Sequence, residues 1–289
     1  MKKLLFARKN DKLHWVGDGF PVRTIFSYSD IAKEISPFLL LDYAGPAEFP
    51  PSDHIRGVGE HPHRGFETVT IIYSGEVEHR DSGGGGGLIR AGDVQWMTAA
   101  SGVVHEEKHS REYAKKGGPF EMIQLWINLP KKDKMSKPRY QAITDEQIPQ
   151  VKLSKGSVRV IAGTYGEQKG PASTFTPMNV WDIRLKRGAH EEFRIPSGHT
   201  TALFLLTGGV QLGSGETVSD AELAVLDNSD EKFSIAATND SKILLLSGEP
   251  IREPIVGYGP FVMNTGSEIE QAIADYQSGR MGHLPQKST

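Results

Sequence analysis

His61-Pro62-His63-Arg64-Gly65-Phe66-Glu67 and, further along, Gly102-Val103-Val104-His105-Glu106-Glu107 are the two clusters around which residues 57–109 are arranged. In an extended strand the side chains alternate faces, so residues two apart point the same way. His61 and His63 then share a face, which Glu67 joins where no bulge intervenes. By the same parity His105 and Glu107 share a face while Glu106 points away. One histidine in a strand is more often packed or hydrogen-bonded than a ligand. This many polar groups on one face, however, need something to satisfy them. Three imidazoles and a carboxylate meeting inside a small barrel would form a first-row metal site. The chain has no Cys, so the donors are nitrogen and oxygen, which suits Fe(II), Mn, Ni, Cu or Zn.

Around these clusters the chain reads as strands. Residues 68–73 carry Val69, Ile71 and Tyr73 on the parity of the histidines, Gly75 ends that run, and 77–79 begins another. The glycine run Gly83 to Gly87 lacks the Gly-Lys-Ser/Thr of a phosphate loop and is expected to be a hairpin tip. Residues 88–98, 103–107 and 120–129 are again strand-like, and residues 1–56 hold short apolar segments broken by Gly and Pro. Many short strands with almost no helical period imply a sandwich or barrel. A polar break at Pro130-Lys131-Lys132-Asp133-Lys134 begins a linker reaching about Pro149, which gives domains of 1–135 and 150–289.

The second half looks like a worn copy of the first. A shift of 133 residues lays Thr68 to Gly75 over Thr201 to Gly208, but His61, His63 and Glu67 then fall on Arg194, Pro196 and Thr200. An internal repeat with one metal site, in the N-terminal half, is the expectation. Near the C-terminus Ser267-Glu268-Ile269-Glu270 reads as a capping box with Ser267 as N-cap. Ile269, Ala272, Ile273 and Tyr276 form an apolar stripe and Gly279 suits the stop, so a helix should dock there on a barrel.

A net charge of −3 gives no electrostatic footprint for nucleic acid. The opening residues carry too few apolar side chains for a secretory leader, and no run is long enough to span a membrane. The expected location is the cytoplasm.

The spacing His61-x-His63-x3-Glu67 resembles the first motif of the cupin superfamily, and Gly102-x2-His105 the end of its second. The longer string from His61 to Val69, with Gly92 to Ala99, Gln124-Leu125-Trp126 and Gly259 to Thr265, resembles the pirin family specifically. The resemblance implies an all-β bicupin: two stacked antiparallel jelly-roll barrels, a C-terminal α-helix, and metal in the N-terminal barrel alone. It also implies His61, His63, His105 and Glu107 as ligands, leaving Glu67 as an outer-shell or strand-pairing residue, although the wider cupin pattern would make Glu67 the fourth ligand. The implied activity is that of a quercetin 2,3-dioxygenase, which opens a flavonol with O2 and releases carbon monoxide. One divalent metal, Fe(II) foremost, would serve it, with Glu107 as base. The alternative is a non-catalytic, redox-sensing regulator that binds a protein partner. His109 is expected in the pocket or at its rim, His79, His190 and His199 at structural or surface positions, and the Trp residues in the core.

Overall fold

The structure, a computed structural model, describes residues 1–284. The chain forms two compact units, each assembled from segments distant in sequence. The histidine-bearing unit comprises Lys12–Ala32, Phe38–Asp145 and, of the described residues, 251–284; the second comprises Met1–Asp11, Lys33–Pro37 and Glu146–Pro250. Among the described residues each unit has one seven-stranded and one four-stranded antiparallel sheet. The repeat is visible in this order: Phe66–Ser74 and Thr200–Thr207, which a shift of 133 residues superimposes, both stand third in their seven-stranded sheets.

In the histidine-bearing unit the larger sheet runs Arg139–Ile143, Val94–Thr98, Phe66–Ser74, Gly118–Asn128, Phe38–Phe49, Phe20–Phe26 and Leu13–Val16. The smaller runs Gly57–His63, Val103–His109, Glu76–Asp81 and Gly86–Arg90. Ile72, Phe120 and Met122 of the first pack with Val77 and Ile89 of the second, closing a core between the sheets. The glycine run does form a hairpin tip, between Asp81 and the strand starting at Gly86.

Strand parity does not carry from His63 to Glu67. The chain leaves the smaller sheet at His63 and enters the larger at Phe66. Between them Gly65 has φ +92°, and a methyl group there would strike the Val262 carbonyl, so only glycine suits this corner. The phase therefore resets. Thr70 turns toward Glu107, while Glu67 shares its face with Val69 and Ile71, on the other side of the strand.

The expected spans 1–135 and 150–289 need amending at both ends. Leu4–Lys9 pairs with Glu222–Leu226 and completes the second unit's sheet, whereas Arg139–Ile143, expected in the linker, completes the first by pairing with Val94–Thr98. Edge strands leave backbone groups unpaired, and borrowed segments satisfy them here. Lys134 is no surface charge either: its Nζ donates to Gly65 O at 2.7 Å, Asn128 Oδ1 at 2.6 Å and Val262 O at 2.9 Å. Burial pushes its pKa down to about 7.

The C-terminal helix, Gly266–Gln277, belongs to the histidine-bearing unit. Its cap is Thr265 with Glu268, two residues earlier than Ser267 with Glu270. Both pairs match the capping pattern. The strand Phe261–Met263 and the bond from Asn264 N–H to Glu268 decide between them by fixing Thr265 as the last extended residue. Ile269 and Ala272 pack on Val104, Phe261 and Met263. Tyr276 is 39% exposed, and Asp275 takes the buried place because Arg64 meets it at 2.8 Å. Among the described residues no helix is long and apolar enough to cross a membrane.

Candidate metal centre

Two adjacent strands of the smaller sheet deliver the histidines. In the pairing of Val103–His109 with Gly57–His63, His105 stands opposite His61 and Val103 opposite His63, and opposed residues share a face. The imidazole centroids lie 4.2 Å (His61–His105), 4.9 Å (His61–His63) and 4.9 Å (His63–His105) apart. A bulge between His105 and Glu107 shifts the register against Gly57–His63. Glu107 stays in step with the neighbour on the other side, opposite His79, and its Oε1 accepts from Gln95 Nε2 at 3.0 Å. The single Thr70 hydroxyl proton lies between Glu107 Oε1 at 3.1 Å and Gln124 Oε1 at 2.9 Å, so it serves one acceptor at a time.

The electrostatics favour bare nitrogen lone pairs. Burial, and then the neighbouring His61, holds the His63 pKa well below the usual imidazole range; burial, His61 and His63 do the same to His105. His61 Nδ1 lies 2.8 Å from Gly59 O and His63 Nδ1 3.4 Å from Pro260 O. Donation to these carbonyls leaves each Nε2 as the acceptor. His105 Nε2 is buried with no hydrogen-bond partner. A buried lone pair without a donor, beside two other imidazoles, fits a metal ion. Ligand atoms of His61, His63 and His105 all lie within 4.8 Å of one another, as do those of His79, His105 and Glu107.

His61, His63 and Glu107 line a cavity of about 370 Å³ with Val16, Phe20, Val58, Met122 and Trp126. Trp126 stacks on Phe66 at 4.3 Å and meets the His63 ring edge-on at 5.2 Å. Asp42 also lines the cavity; its Oδ1 is buried without a partner and burial raises its pKa.

The pirin family model matches residues 19–127, and the model of the pirin C-terminal cupin domain matches 180–282. The chain belongs to the pirin family. It is 57% identical over 282 residues to a Pseudomonas aeruginosa protein named "Putative quercetin 2,3-dioxygenase", covering 97% of this chain and 98% of that one. A crystal structure titled quercetin 2,3-dioxygenase from Acinetobacter baumannii superposes with TM-score 0.96 at 52% identity, covering 98% and 99% of the two chains. A bacterial pirin from Escherichia coli in complex with nickel(II) has TM-score 0.64 at 21% identity, over 85% of this chain and 99% of that one, a likeness of fold. The pirin bicupin fold read from the motifs is therefore this chain's fold.

Within that pirin fold the structure brings ligand atoms of His61, His63 and His105 within 4.8 Å of one another, groups Glu107 with His105 and His79 instead, and places Glu67 elsewhere. Glu67 is fully buried, accepts from Thr98 at 2.7 Å and lies 3.7 Å from Arg139. Burial pushes its pKa up to about 7. His109 is neither in the cavity lining nor at a rim: it sits among Phe20, Phe49, Tyr113 and Phe120, with Nε2 3.0 Å from Gly19 O. Trp96 and Trp181 are core, but Trp126 is a cavity wall and Trp15 is 55% exposed. His79, expected at a structural or surface position, is fully buried and grouped with His105 and Glu107, and Thr70, Gln95 and Asp42 were not among the expected site residues. Only for His79 was a signal available, since it alternates with Val77 and Asp81 on the strand beside Val103–His109.

Proposed function

We propose that the chain is a metal-dependent dioxygenase of the quercetin 2,3-dioxygenase type, opening a flavonol with O2 and releasing carbon monoxide. His61, His63, His105 and Glu107 would hold one divalent transition metal, Fe(II) first among the ions that suit the donors. The observation that carries the reading is the three-imidazole cluster of His61, His63 and His105, with Glu107 grouped beside His105, at a largely apolar cavity that His61, His63 and Glu107 line and whose volume is in the range for small-molecule sites. Relatives named or titled quercetin 2,3-dioxygenase support it.

The metal, when bound, supplies Lewis-acid polarisation of a substrate oxygen and a common point of orientation for substrate and O2. The protein does the rest. Trp126, Phe20, Val22 and Met122 offer apolar walls to a flat ring and exclude water from it. Glu107 accepts the proton of the flavonol hydroxyl. Gln95 holds its Oε1, which leaves Oε2 for that proton.

The test is elemental analysis joined to an aerobic quercetin assay with defined metals. Turnover should require metal, consume O2 and yield carbon monoxide. His63→Ala should lose metal and activity together, while His199→Ala keeps both. Glu107→Ala should be metal-poor and Glu67→Ala metal-replete; the reverse result removes Glu107 from the ligand set. If iron-, manganese-, nickel- and copper-loaded protein all leave quercetin decaying at the buffer rate, the enzyme reading fails and a non-catalytic, partner-binding role takes its place.

A further inference from the structure

Behind His105 runs a buried chain of polar contacts. His105 Nδ1 lies 3.3 Å from His79 Nδ1, and His79 Nε2 lies 3.2 Å from Asp81 Oδ2. Asp81 Oδ1 in turn accepts the backbone N–H of Gly83 at 2.7 Å and of Gly85 at 2.9 Å. His105 and His79 are fully buried and Asp81 is 3% exposed. The hairpin tip is shaped for this carboxylate, since a methyl group at Gly85 would run into both Asp81 and Tyr140.

Two nitrogens facing each other hydrogen-bond only if one carries a proton and the other a lone pair. The direction is set from the far end. An ionised carboxylate only accepts, so His79 carries its proton on Nε2 and presents a lone pair at Nδ1. His105 must then carry its proton on Nδ1, which leaves Nε2 bare. That is the buried nitrogen with no partner in the protein.

We propose that Asp81 and His79 are positioning residues: a two-member relay that fixes the tautomer of His105 and presents its Nε2 lone pair to the metal. The inference rests on His105 being a ligand. Ligating histidines elsewhere commonly give their second N–H to a carboxylate or carbonyl; here an imidazole is interposed. A second contact steadies the relay. The His79 ring stacks on Tyr140 with centroids 5.0 Å apart and planes 13° from parallel. The Tyr140 hydroxyl reaches Gln95 Oε1 at 3.3 Å and so orients the amide that donates to Glu107.

Asp81→Asn is the discriminating substitution. The Gly83 and Gly85 N–H groups would take the amide oxygen, turning the NH2 toward His79. His79 would then accept at Nε2 and donate from Nδ1, and His105 would be left with its proton on Nε2. An Asp-to-Asn change inverts a histidine tautomer in this way in serine-protease triads. Nitrogen-15 NMR of the imidazoles in metal-free protein reads the tautomer directly: His105 should be Nδ1-protonated in the wild type and Nε2-protonated in Asp81→Asn. Competition titration with Zn(II) should show affinity lower by about 10–100-fold in Asp81→Asn.

His79→Phe, which keeps the ring on Tyr140 but removes the acceptor, should fall by a similar factor. His79→Asn, whose oxygen can occupy the place of Nδ1, should stay within a few-fold of wild type. An Nε2-protonated His105 in the wild type overturns the proposal, as does unchanged zinc affinity in both Asp81→Asn and His79→Phe. His79→Asn falling as far as His79→Phe would make His79 a ligand and overturn it too. If Asp81→Asn does not fold, the wild-type tautomer and the His79 pair still decide. Failure of the metal reading is separable: His105→Ala would then leave zinc binding unchanged, while the tautomer measurement still judges the relay.

Discussion

At the scale of single residues, Glu67 shows how position in a strand overrides position in a motif. It sits four residues beyond His63, yet its side chain lies with Thr98 and Arg139, because the turn at Gly65 resets the alternation. Burial raises its folded pKa to about 7, above the usual 4.5. Between those values the folded state holds a proton that the unfolded chain has released. This group's contribution to stability is therefore full below pH 4.5, declines as pH rises to 7, and is level above that. Glu67→Gln should remove the decline. Urea unfolding of both proteins from pH 4.5 to 8 should show the variant gaining on the wild type by up to about 3 kcal/mol, since each tenfold change in proton affinity is worth about 1.4 kcal/mol. A constant difference across that range would contradict the assignment.

At the scale of elements, the C-terminal segment supports the candidate centre. Pro260 O lies against His63 Nδ1, and Val262 backbone groups meet Arg64 and Lys134. The helix adds Asp275, which receives the Arg64 guanidinium while Arg64 Nε donates to Ser101 O at 2.6 Å. Asp275→Ala strands a buried guanidinium next to the His61-Pro62-His63 run. Thermal and urea unfolding should show a loss of about 3 kcal/mol, as for other broken buried pairs. Thr265→Ala removes only the cap and should cost about 1 kcal/mol. A larger loss from Thr265→Ala than from Asp275→Ala would mean that the helix is held by its cap rather than by this ion pair.

At the scale of the molecule, the two units share a sheet order but not a use for their interiors. In the second unit Phe193 stacks on Phe233 at 5.4 Å beside Trp181, and apolar side chains fill the core. Arg194 and Pro196, which stand where the shift of 133 residues places His61 and His63, are exposed. One metal equivalent per chain is expected. Phe193→Ala should cost about 3–5 kcal/mol on unfolding and leave the stoichiometry at one. Two tightly bound equivalents, the second lost on mutating the C-terminal half, would sink the single-site reading.

The sequence by itself determined the strand-rich class, the repeat and the histidines, because period-two alternation and a His-x-His pair are local properties. It also marked the C-terminal helix, but the cap read at Ser267 lies two residues past the true one at Thr265. Tertiary structure alone decided that Glu67 turns away, since a corner between two sheets cannot be read from parity within one. It alone made Lys134 a buried donor to Gly65, Asn128 and Val262. It also sent Leu4–Lys9 to the second unit and the C-terminal helix to the first. The His79 and Asp81 contacts belong with these. Each is a pairing across strands far apart in sequence, and long-range register follows from packing and backbone hydrogen bonding rather than from neighbouring residues.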